Sequence, residues 1–189
     1  MTETQSRLLD LGEALMRKRG FGGFSYADLA REIGIRKASI HHHFPTKSDL
    51  GMAVLDRYAD QLADKLRKIS SASRTGGQAL DGTIKLYRDA IDHAGRMCLC
   101  STLAADTEVI DRDMRERLAQ ANRDTAAWIQ ETLLTGRRDR SIAVGGDPAL
   151  EAKAILAQLQ GAQLLARAGG DPQIFDQAIT TLVARLSRH

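Results

Sequence analysis

Between residues 25 and 49 the chain carries two helix-start signals and two helix-stop signals in quick succession. Ser25 with Asp28, and Thr46 with Asp49, are pairs in which a hydroxyl and a carboxylate three residues apart can each cap the other's backbone N–H. Gly34 interrupts the first helix after Tyr26, Leu29, Ala30 and Ile33 have marked one apolar face at i, i+3, i+4 and i+7. A second helix begins near Lys37 and stops at Pro45, which cannot continue the hydrogen bonding and disfavours a helical Phe44. Ile35 is placed to plug the joint. Two helices this short, joined by about three residues that include a glycine, have the make-up of a helix-turn-helix.

The rest of the chain also reads as helix. Leu8, Leu11 and Leu15 mark a first helix ending near Gly20, with Arg17, Lys18 and Arg19 in the last turn, where cations suit the helix dipole. Leu50, Val54, Tyr58, Leu62 and Leu66 predict a long helix over 46–69, followed by a loop over 70–77. Further helices are expected over 78–94, 98–107, 110–135, 148–168 and 172–187. The last two follow GGDP repeats, each with Asp at the cap and Pro at the first helical position. Three prolines, 4% aromatic residues and abundant Ala, Leu, Arg, Gln and Glu in 189 residues fit an all-α fold of about nine helices.

Charge is distributed unevenly. Arg17, Lys18, Arg19, Arg31, Arg36, Lys37 and Lys47 face only Asp28 and Glu32 between residues 17 and 47, although the whole chain carries a net charge of only +3. A basic head on an otherwise slightly acidic chain is the footprint of a polyanion-binding end. The adjacent His41, His42 and His43 point about 100° apart on a helix and cannot converge on one ion, so no metal is expected there. GxGxxG, P-loop, HExxH and Glu-x-x-His patterns are absent, which argues against an enzyme and implies no cofactor. With no secretory leader, no apolar run approaching the ~20 residues a bilayer needs, and two cysteines, a soluble cytoplasmic protein is expected.

The run FSYADLAREIGIRKASIHHHFPTKSDL, residues 24 to 50, resembles the helix-turn-helix of the TetR/AcrR family of bacterial transcriptional repressors. Leu29-Ala30, Gly34, Lys37-Ala38-Ser39-Ile40, the triplet ending at Phe44, and Lys47 after Pro45 carry the resemblance, which covers residues 5 to about 60 without gaps. It implies a three-helix DNA-binding domain over 1–60, with its motif at 25–44, and a helical effector-binding and dimerisation domain over 61–189. It further implies a homodimer placing two recognition helices in successive major grooves of palindromic double-stranded DNA, released by a small-molecule effector of unknown identity. The DNA-contact set is then Ser25, Tyr26, Arg36, Lys37, Ala38, Ser39, His41, His42, His43 and Lys47. At most two of the three histidines can face DNA, the third packing on the head. His41 stands where the family usually has tyrosine. Arg36 stands where it has Ser or Thr, so the recognition helix loses a side-chain cap and gains a guanidinium suited to phosphate or guanine.

In the body, Tyr87, His93, Met97, Cys98, Leu103, Asp106, Trp128, Gln160 and Gln163 are candidates to line an effector cavity, or else ordinary core. Cys98 and Cys100 are either small apolar packing groups or a thiol sensor of oxidants or electrophiles. Ala157, Gly161, Leu164, Leu165, Phe175, Ile179 and Leu182 supply a helix–helix contact that is either internal core or half of a four-helix dimer interface. The competing function is an all-α dimeric ligand carrier or adaptor whose basic head binds an acidic protein instead of DNA.

Overall fold

The computed structural model describes residues 2–91, 95–143 and 145–186. Among these residues are nine helices: α1 (Glu3–Arg19), α2 (Tyr26–Ile33), α3 (Lys37–His43), α4 (Lys47–Ala72), α5 (Gly76–Asp89), α6 (Leu99–Ala104), α7 (Arg112–Arg138), α8 (Pro148–Gly169) and α9 (Gln173–Leu186). They form two compact units, Met1–Asp60 with Leu99–Gln120, and Gln61–Cys98 with Ala121–His189. The segment 99–120, which the sequence assigns to the 61–189 portion, therefore folds with the first sixty residues.

In the first unit α2 and α3 are too short to persist alone in water, where helices below about 12 residues are marginal. Burial holds them. Leu29 of α2 and Ile40 of α3 are fully buried, together with Leu8 and Met16 of α1 and Leu50, Val54 and Leu55 of α4. Gly51 lets α4 approach its neighbours closely, because a Cβ there would lie 2.7 Å from the Phe21 ring and 2.9 Å from the end of Met114. Arg57 of α4 bonds Asp10 at 2.7 Å and Glu13 at 3.3 Å, tying α4 to α1.

The second unit is built on α8, whose glutamines each reach a different neighbour. Gln158 Nε2 donates to Ala178 O of α9 at 2.9 Å, Gln160 Nε2 to Asn122 Oδ1 of α7 at 3.0 Å, and Gln163 Nε2 to Tyr87 O of α5 at 2.7 Å. Ile129, Leu133, Ile155, Leu159 and Phe175 form its fully buried apolar centre.

The helix starts at Tyr26, Lys37 and Pro148 fall where the start signals put them. The expected loop over 70–77 does not. α4 runs on to Ala72 and α5 begins at Gly76, leaving three residues between them. Gly76 N–H donates to Asp139 Oδ2 at 2.7 Å and Gly77 N–H to Ser141 Oγ at 2.8 Å, so acceptors from beyond α7 satisfy the first amides of α5. Glycine is needed for that approach, since a Cβ on Gly76 would stand 2.2 Å from Gly136 N. α5 stops at Asp89, short of the expected 94, and residues 92–94 lie outside the described residues.

Candidate nucleic-acid interface

Helix α3 is anchored by one side chain. Ile40 is fully buried, whereas Arg36, Lys37, Ala38, Ser39, His41 and His42 are exposed and His43 is half-buried. Arg36 is the N-cap residue and forms no side-chain cap, as its chemistry implies, so its guanidinium is not committed to the helix start. Arg36, Ala38, Ser39, His42 and His43 line an open groove of about 520 Å³ with Ile35 and Thr4. Thr4 lies more than thirty positions before this helix, and no local signal links the two.

The histidines divide their tasks. His41 Nδ1 lies 3.0 Å from Pro45 O. A carbonyl only accepts, so Nδ1 carries a proton and Nε2 is left for an outside partner. The His42 and His43 rings meet edge to face with centroids 5.3 Å apart. Among the described residues no group of three His, Cys, Asp or Glu side chains is arranged to hold a metal ion.

The flanks of α3 are pinned by residues that the sequence puts in the DNA-contact set. Ser25 and Asp28 cap α2 reciprocally, with Ser25 N–H donating to Asp28 Oδ2 at 2.8 Å. The Ser25 hydroxyl, its N–H and then Arg31 hold the Asp28 carboxyl below its ordinary pKa. The Tyr26 hydroxyl shares its proton between Phe44 O at 2.9 Å and Thr46 O at 2.5 Å, and its ring meets His41 edge-on. Burial first, then the charge of Asp49, push its pKa from 10.0 to about 12.

Lys47, expected among the DNA contacts, is engaged by the protein's own backbone. Its ammonium turns inward, donating to Phe21 O and Phe24 O, each at 2.5 Å, and resting over both rings at 4.7 and 4.2 Å. Burial lowers its pKa from the ordinary 10.5, with the charges of Asp106 and Asp28 pulling the other way. In this arrangement Lys47 braces the loop before α2 rather than presenting a cation to solvent.

The expected effector residues are distributed over both units. Tyr87, Met97, Cys98 and Gln163 are buried in the second unit, where Gln163 and Tyr87 are bonded to each other. Gln160 is engaged with Asn122. Trp128 lines an open groove of about 180 Å³ with Ser70, Ser73, Arg74, Thr75, Gly76, Ala79, Glu131, Thr132 and Thr135. Leu103 and Asp106 belong to the first unit, Leu103 fully buried and Asp106 bonded to Phe21. His93 lies outside the described residues. Cys98 and Cys100 are 3% and 2% exposed, the environment of packing cysteines rather than reactive ones.

The dimer set splits in two. Phe175, Ile179 and Leu182 are 0%, 6% and 1% exposed and belong to the chain's own core, because α9 turns its apolar face inward. On α8, exposed Ala157, Leu164 (40%) and Leu165 (59%) share one stripe with Leu150 (64%), Ala154 and Ala168. Gly161 opens the middle of that stripe, since a Cβ there would meet nothing within 4 Å.

Comparison with known proteins matches this architecture along most of its length. The family model for bacterial regulatory proteins of the tetR family matches residues 8–54, and the one for the tetracyclin repressor-like C-terminal domain matches residues 76–182. The HTH-type transcriptional repressor NemR of Escherichia coli K12 is 27% identical over 170 residues, covering 87% of this chain and 84% of its own. A TetR-family transcriptional regulator from Agrobacterium tumefaciens superposes with a TM-score of 0.93 at 27% identity, covering 98% of both chains. The reduced form of E. coli NemR superposes with a TM-score of 0.87 at 24% identity, covering 98% of both chains, which shows likeness of fold. With its exposed recognition helix and its helical C-terminal unit each matched, the chain belongs to the TetR family of bacterial transcriptional regulators.

Proposed function

We propose that this regulator is a repressor that binds palindromic operator DNA as a cytoplasmic homodimer and is released by a small organic effector. The observation that carries the DNA reading is α3 itself, where Ile40 is buried and six residues from Arg36 to His42 are exposed. Such a helix enters a major groove without disturbing its own packing, with Arg36 and Lys37 for phosphate or guanine and Ala38 small enough to meet a thymine methyl. The term repressor follows the relative NemR, a transcriptional repressor. We assign DNA binding to residues 1–60 and effector binding and dimerisation to residues 61–189, with 99–120 acting on the head. No described helix is long and apolar enough to cross a membrane.

Dimerisation is assigned to the α8 stripe at Ala157, Gly161, Leu164 and Leu165, against the same stripe of a second copy. The effector is assigned to the second unit, around Tyr87, Trp128 and Gln163. Selection from fragmented genomic DNA tests the function. The expected result is an enriched palindrome with half-sites about one helical turn apart, whose affinity falls steeply with salt. Enrichment of no palindrome at low ionic strength would leave the acidic-protein adaptor as the better reading.

A further inference from the structure

We propose that Asp106 is a positioning residue through which the turn after α6 sets the recognition helix. The inference rests on α3 being the DNA-reading element. Asp106 Oδ2 accepts the Phe21 N–H at 2.5 Å, across 85 positions of sequence. The approach demands glycine at position 20, because a Cβ there would lie 2.2 Å from the same oxygen and φ is +79°. Asp106 is itself held in place, its N–H donating to Leu103 O and its carbonyl accepting from Val109 N–H, both at 3.0 Å.

The grip on Phe21 is two-sided. While Asp106 takes its N–H, Lys47 takes its carbonyl, and Asp106 is the leading negative charge that favours the ammonium form of Lys47. The gripped loop ends at Phe24, whose carbonyl Lys47 also holds. Ser25 follows as the cap of α2, and Tyr26, the first residue of α2, bonds Phe44 and Thr46 at the far end of α3. Contacts and the short stretch of chain between them thus run from the turn at 106 to the start of α2 and the end of α3. Displacing the carboxylate leaves a Phe21 amide unpaired and lowers the fraction of heads in the DNA-competent arrangement, and apparent affinity falls by that fraction.

The test compares Asp106→Ala and Asp106→Asn with Arg117→Ala in the full-length protein. Arg117 Nε pairs with Asp56 Oδ1 at 2.5 Å and ties α7 to α4 without bonding Phe21. Three quantities are measured: melting temperature, amide hydrogen exchange over Ile40–Phe44 in free protein, and affinity for the operator that the wild type selects. The expected result is that Asp106→Ala speeds exchange and weakens operator binding, each roughly tenfold, the loss of a charge-assisted hydrogen bond. Asp106→Asn, which keeps an acceptor for the Phe21 N–H, falls between it and the wild type. Arg117→Ala lowers the melting temperature with neither effect. Wild-type exchange in Asp106→Ala would overturn the proposal, as would equal acceleration by Arg117→Ala at an equal loss of melting temperature. If Asp106→Ala does not fold, Asp106→Asn decides by the same readings. A wild type that selects no DNA would sink the DNA reading, while the exchange measurement still judges Asp106.

Discussion

Lys47 and Tyr26 show that a side chain beside a DNA-reading helix can serve it from behind. Two carbonyls and two aromatic rings take the Lys47 ammonium. Lys47→Ala should therefore destabilise the protein by about 2 kcal/mol, seen as a lower melting temperature. It should leave the salt dependence of operator binding nearly intact, whereas exposed Lys37→Ala should reduce that slope by about one. Equal slopes for the two variants would show that Lys47 meets phosphate after all. Tyr26 offers a second check. Its folded pKa of about 12 lies above the ordinary 10.0, so its stabilising contribution is complete below pH 10 and lost as pH rises through 12. Ultraviolet titration should show a phenol ionising near pH 12 that is missing from Tyr26→Phe.

At the scale of the element, α8 and α9 each bury an apolar face, but α8 also exposes Leu150, Leu164 and Leu165. Phe175→Ala should cost about 3–5 kcal/mol as a core cavity. Leu165→Glu should leave melting of the monomer nearly unchanged and convert dimers to monomers in sedimentation, because Leu165 is 59% exposed. Loss of fold in Leu165→Glu would place that stripe inside the chain. This contrast also marks what the sequence can disclose. Caps act within three or four residues, so Ser25–Asp28, Thr46–Asp49 and Asp147 announce their helices directly. Apolar periodicity announces a buried face but not the molecule that buries it, so Phe175, Ile179 and Leu182 were indistinguishable from Leu164 and Leu165. The start of α5 depends on an acceptor 63 positions away, and the inward turn of Lys47 on carbonyls 26 and 23 positions away. Neither leaves a local trace. An effector cavity leaves the weakest trace, since it is defined by which helices meet rather than by residue type.

For the whole molecule, α4 and α7 each contribute residues to both compact units, so a ligand held by one unit is linked through continuous helix to the other. A ligand that weakens operator binding tenfold must itself bind tenfold more weakly to the DNA complex, because the coupling is reciprocal. Calorimetry with and without operator checks this, and a ligand that binds both forms equally would not be the effector. The lone anchor at Ile40 carries a consequence for descent. Because Arg36, Lys37, Ala38 and Ser39 stand exposed outside the buried core, mutation can rewrite the genomic address this chain reads one letter at a time. Paralogues arising from it can diverge in their targets while inheriting the same chassis.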